Sequence, residues 1–105
     1  MLDVLEYLDA AGRSPVKRWF DRLDADSSAK VTFAITRIAQ GNLSNAKAVG
    51  GGVFEFKIDF GPGYRLYFGR DGERIIILLG GGTKKRQQRD IEAAIAHWRD
   101  YKRRK

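Results

Sequence analysis

The sequence predicts an α+β fold: an antiparallel sheet of about four strands, with two N-terminal helices and one C-terminal helix, in the order β-α-α-β-β-β-α. Three observations carry this. Apolar residues recur at helical spacing in Val16, Trp19, Phe20 and Leu23, and again in Val31, Ala34, Ile35 and Ile38. Two later segments, Val53 to Asp59 and Tyr64 to Phe68, alternate apolar and polar residues with the period of a strand. The helical spacing then returns in Ile91, Ala94, Ile95 and Trp98.

Leu2 to Tyr7 alternates imperfectly and reads as a first strand. Ser14-Pro15 is a helix start, because a serine hydroxyl caps free amides and proline is pre-set for the first turn. That helix ends near Asp24. Asp26-Ser27-Ser28 can cap the next one, and Gly41-Asn42 stops it. The two helices are expected to pack as a pair on one face of the sheet. Phe54, Phe56 and Ile58 then face one way, with Glu55, Lys57 and Asp59 opposite. After the Gly61-Pro62-Gly63 turn, Tyr64, Leu66 and Phe68 lie on one side and Arg65 and Tyr67 on the other. Asp71-Gly72 marks a tight hairpin. Ile75 to Leu79 has no polar member, as expected of a strand covered on both faces. Gly80-Gly81-Gly82-Thr83 is expected to break that strand before the last helix.

The 105 residues fit one domain, with no repeat and no linker. With no cysteine, disulfides, thiolate metal sites and a cysteine nucleophile are excluded, and the single histidine, His97, reads as a surface or packing residue. No metal or cofactor is expected. Trp19 and Trp98 read as core residues, and Asp21, Asp24 and Asp26 as caps and solvated charges. The longest apolar run, Ile75 to Leu79, is too short for a membrane span, and the acidic start of the chain does not read as a leader; a cytoplasmic protein is expected.

Net charge is +7, and residues 84–105 carry 9 basic side chains against 3 acidic ones. Such a block favours a polyanionic partner, although a solvated helix with a basic tail would have the same composition. On the meander, Lys57 and Arg65 share the polar parity, and the basic loop Lys84-Lys85-Arg86 follows the last strand. Together they make a cationic pocket, with Tyr64 or Tyr67 available to stack a base and Arg86 and Arg89 to hold RNA phosphates. Cleavage of RNA by its own 2′-hydroxyl needs little more. Lys57, Arg65, Lys84 and Lys85 would stabilise the phosphorane, and a lysine among other cations is a candidate for both proton transfers. The competing reading is that Lys57 and Arg65 pair across strands with Glu55 and Asp59.

The run from Val53 to Phe68, with Gly61-Pro62-Gly63-Tyr64-Arg65 at its centre, resembles the Gly-Tyr-Arg strand pair of the RelE/ParE toxin superfamily. Ile76 to Lys85, Asp90 to Ala94 and Arg37 to Asn42 extend the likeness to the HigB-like, phage Gp49-related addiction module killer proteins, from about Ser14 to Trp98. The resemblance implies a small toxin of a type II toxin–antitoxin pair with a curved antiparallel sheet. Its activity would be ribosome-dependent mRNA cleavage or, as in ParE relatives, poisoning of DNA gyrase; a non-toxic remnant that still binds its antitoxin is the third possibility. The implied partners are a cognate antitoxin, usually a small helix-turn-helix protein, and the ribosome with its mRNA. The family's strand lysine matches Lys57, its arginine after Gly-Tyr matches Arg65, and its basic residues after the last strand match Lys84, Lys85 or Arg86. A second family lysine falls at Glu55, and the family tyrosine falls close to Ile91.

Overall fold

The computed structural model describes residues 1–105. The elements are β1 (Asp3–Glu6), α1 (Pro15–Phe20), α2 (Ala25–Ala39), β2 (Ala46–Gly50), β3 (Val53–Ile58), β4 (Tyr64–Asp71), β5 (Ile75–Thr83) and α3 (Gln87–Arg104), with a single 3₁₀ turn, Lys84–Arg86, between the last two. The fold is α+β, with a five-stranded sheet in the order β1-β5-β4-β3-β2.

The sheet departs from expectation in three ways. It holds a fifth strand, β2, an edge strand whose Ala-Lys-Ala-Val-Gly sequence is too small and polar to show a strand period. Its register with β3 slips between Ala48 and Gly50, and Gly50, Gly51 and Gly52 take positive φ to make the reversal. Ile95 and Trp98 of α3 lie close against Gly51 and Gly52. Second, the sheet is mixed, because β1 pairs with β5 in parallel, Asp3 opposite Ile75 through Glu6 opposite Leu78. No hairpin ties β1 to its neighbour, so the chain is free to return in that sense. Third, the three glycines do not end β5. They extend it to Thr83, opposite Tyr64 to Tyr67 of β4, with a bulge at Leu79. They also leave room for neighbours: a Cβ on Gly81 would fall 2.3 Å from the Trp19 ring, and one on Gly82 would fall 1.9 Å from Asp90 Oδ2.

Both faces of the sheet are covered. On one, Val16 of α1 and Val31, Ala34 and Ile38 of α2 pack on Phe56, Ile58, Leu66, Phe68, Ile76 and Leu78. On the other, Ala94 and Trp98 of α3 pack on Val53, Tyr67, Ile77 and Leu79, together with Tyr7. Each fully buried aliphatic side chain contributes about 1.5–3 kcal/mol. The all-apolar Ile75-to-Leu79 run follows, since alternate residues enter opposite cores. Ser14 caps α1 through Lys17 N–H, as expected, but α2 starts earlier than Asp26. Asp24 caps it by accepting from Ser27 N–H at 2.8 Å. No helix is long and apolar enough to cross a membrane.

Candidate functional site

The polar residues of the meander meet in a groove of about 480 Å³ beside the start of α3. Register builds it. Lys57 of β3 lies opposite Arg65 of β4, and Lys47 of β2 lies opposite Glu55 of β3. Glu55 is the centre. Its side chain is 2% exposed, Arg65 Nε stands 3.5 Å from Oε1, Lys47 Nζ stands 3.9 Å from the same oxygen, and Gln87 Nε2 donates to Oε2 at 2.7 Å. Arg65 is 5% exposed, and its Nη1 donates to the Tyr64 carbonyl at 3.2 Å. A guanidinium fixed from two sides keeps its fork orientation without ordering on binding.

The 3₁₀ turn is fastened to the same end of the sheet. Lys84 N–H donates to the Gly63 carbonyl at 2.7 Å, which sets the Lys84 side chain beside the Gly61-Pro62-Gly63 turn and close to Arg65. Lys57, Lys84, Lys85, Arg86 and Arg89 are exposed and have no carboxylate partner. The tail differs. Arg103 and Arg104 pair with Asp100, and Lys105 pairs with Asp71. The 3₁₀ turn and the groove therefore gather a cluster of unpaired positive charge.

Arg65 does pair with Glu55, as one sequence reading held, whereas Lys57 has no such partner. The two tyrosines are a correction. Tyr67 is fully buried beneath α3, and burial, reinforced by the nearby Glu55 carboxylate, pushes its phenol up. Tyr64 points into the helix-pair core, its hydroxyl 3.0 Å from Ser27 Oγ. Neither ring has a free face on which a base could stack. The polar parity of β4 leads under α3, not to solvent. Trp98 is core, as expected, but Trp19 is only half-buried, lying over Gly81 and edge-on to Tyr64 at 6.1 Å. His97 packs as expected, stacked on Tyr7 at 4.9 Å.

Sequence reading passed over Lys47, Gln87 and the central role of Glu55. Lys47 lies on the strand that shows no period, and Gln87 becomes a neighbour only when α3 folds back. Three buried polar atoms lack a hydrogen-bond partner: Arg65 Nε, Tyr67 Oη and Asp90 Oδ2. All three lie where the first turns of α3 cross β4 and β5. Such atoms are uncommon in native folds.

The fold and groove define a small α+β protein with a fixed guanidinium and free lysines at one end of a doubly covered sheet. Residues 18–99 match the family described as phage derived protein Gp49-like (DUF891), and the chain belongs to that family. It is also similar to an uncharacterized protein of Haemophilus influenzae (strain ATCC 51907 / DSM 11121 / KW20 / Rd), with 39% identity over 77 residues, covering 72% of this chain and 78% of the relative.

Proposed function

We propose that this Gp49-like protein is the toxin of a type II toxin–antitoxin pair, of the RelE/ParE kind and HigB-like, and that it stops translation by cutting mRNA on the ribosome. The observation that carries this reading is the juxtaposition of Arg65, held by Glu55, with the unpaired Lys57 in the groove and the unpaired Lys84 beside the neighbouring Gly61-Pro62-Gly63 turn. Membership of a phage-derived family and the strand-pair resemblance support it.

In this reading the substrate phosphate lies over Arg65. The 2′-oxygen bonds to phosphorus while the bond to the 5′-oxygen breaks, and the extra negative charge of the phosphorane falls on the guanidinium and the lysines. The 2′-hydroxyl gives its proton to a base and the departing 5′-oxygen takes one from an acid, and we assign both transfers to lysines of the groove and the 3₁₀ turn. Lys57, Lys84 and Lys85 are our candidates for these roles. Glu55 is already occupied by Gln87, Arg65 and Lys47, so it is a positioning residue. Arg86 and Arg89 hold the flanking phosphates. The protein acts in the cytoplasm, and its antitoxin, a small helix-turn-helix protein, neutralises it by laying an acidic segment over the groove.

The test is to pulse-induce the protein alone in a bacterial host and map transcript 5′ ends. New ends confined to translated regions are expected. Lys57→Ala and Lys84→Ala, both at exposed positions, should each reduce them roughly 10²-fold. Growth arrest without new ends would overturn the nuclease reading and favour a bound target such as gyrase.

A further inference from the structure

A second groove, of about 310 Å³, lies against α2 at the end of β3. Lys30, Phe33 and Arg37 form its helix side, in steps of three and four residues that set them in one row along α2. Phe56, Ile58 and the following Phe60 form the other side. Phe56 and Ile58 belong to the core under the helix pair, whereas Glu55 and Arg65 share the parity that faces α3, so the two grooves lie on opposite faces of the sheet. They meet around its edge. β2 begins at Ala46, opposite Phe56, and the Asn45 carbonyl accepts from Lys57 N–H at 3.2 Å. Past that bond no strand covers the outer edge of β3, and Asn45, Lys57 and Asp59 line both grooves there.

Three features specify an occupant. The apolar surface that this groove shows to solvent is aromatic. Ala34, Phe56 and Ile58 are buried, Phe60 is half-buried, and Phe33 is 68% exposed, the one aromatic side chain of the protein that is. The charge is positive. Lys30, Arg37 and Lys57 line the groove against a single carboxylate, Asp59, and none of the three closes an ion pair. Lys30 Nζ stands 5.2 Å from the centre of the Phe60 ring, which holds the ammonium beside the aromatic surface. The groove is also continuous with the one at Arg65, because Lys57 serves both. A single-stranded nucleic acid answers all three: its bases stack on ring faces, its phosphates take the cations, and it is long enough to occupy both grooves. A groove built for a protein segment would offer a wider apolar centre, from which lysine is depleted.

We infer that the α2 groove binds the RNA strand that continues out of the groove at Arg65, with a base stacked on Phe33 and phosphates on Lys30, Arg37 and Lys57. The inference rests on the reading of the chain as an RNA-cutting toxin, and it assigns the path of the strand beyond the scissile phosphate. The strand rounds the end of β3 at Lys57, so no one nucleotide has to reach both faces of the sheet. Phe33 supplies the stacking surface that Tyr64 and Tyr67, both buried, do not offer.

The isolated full chain is titrated with a dye-labelled single-stranded RNA of about ten nucleotides, alternating adenosine and cytidine, following fluorescence anisotropy. The RNA is 2′-O-methylated, so it has no hydroxyl with which to be cut. Phe33→Ala, at an exposed position, should weaken binding about tenfold, and Phe33→Tyr should keep it within about threefold. Phe33→Leu should lose as much as Phe33→Ala, because it keeps apolar bulk without a stacking face. Lys30→Ala and Arg37→Ala should each reduce the log–log salt slope by about 0.7. No binding of the RNA, or an affinity indifferent to Phe33→Ala, would overturn the inference, and the second result would leave Phe33 to a protein partner. Full affinity in Phe33→Leu would overturn the stacking role as well. Phe33-dependent binding by a chain that makes no new transcript ends would sink the nuclease reading alone. New transcript ends from a chain whose RNA binding ignores Phe33 would sink this one alone.

Discussion

Glu55 and Arg65 carry the same physics that makes the groove usable and the fold vulnerable. Both are nearly inaccessible, and each compensates the other's charge. Removing one partner of a buried pair leaves an uncompensated charge, which costs about 3–5 kcal/mol. Glu55→Ala should therefore lower unfolding free energy by about that amount in a urea titration. The double change Glu55→Met with Arg65→Met should recover most of it, because two apolar side chains of similar volume need no partner. An equal loss in the single and double variants would show that the pair is not coupled. Glu55 also shows what alternation conveys and what it omits. Its parity was legible in the strand, opposite Phe54 and Phe56, but parity cannot say whether that face meets solvent or a helix.

α3 is the element that decides the site. Its first residue holds Glu55, its middle packs Ala94 and Trp98 on the sheet, and its end is fastened by polar contacts. Tyr7 Oη donates to Asp100 Oδ2 at 2.6 Å, and Tyr101 Oη donates to Asp71 Oδ2 at 2.7 Å. The Tyr7 hydrogen bond and Arg104 hold the Asp100 carboxyl down at about 2. A carboxyl with a lower value in the folded state than in the unfolded chain stabilises the fold above its unfolded value, near 4, and that contribution is lost as pH falls toward 2. Melting temperature should therefore drop between pH 4 and pH 2, and Asp100→Asn should flatten that limb. A limb of unchanged steepness in the variant would assign the acid sensitivity to other carboxylates.

At the scale of the molecule, the net charge of +7 is not uniformly available. Arg103, Arg104 and Lys105 close ion pairs with Asp100 and Asp71, whereas Lys57, Lys84 and Lys85 have none. On the proposed RNA-cutting reading, binding to single-stranded RNA should weaken with salt, and each phosphate contact removed should reduce the log–log slope by about 0.7. Lys84→Ala and Lys85→Ala should each do so, whereas Arg103→Ala should not. A slope lowered equally by all three would mean that the charge acts as a diffuse field.

Helix spacing, strand alternation and the Ser14 cap are local properties, so the sequence by itself determined the three helices, the meander and its core-facing residues. It also placed Lys57, Arg65 and Lys84 near one another, because a hairpin register and a short connection leave little freedom. Tertiary structure alone decided the rest. The edge strand β2 owes its existence to pairing with β3, not to its own residues. The parallel docking of β1 is a long-range choice with no turn to encode it. Above all, the burial of Tyr67 and the fixing of Arg65 follow from α3 lying across the sheet. Its apolar stripe announces that it must cover something, and only packing says what.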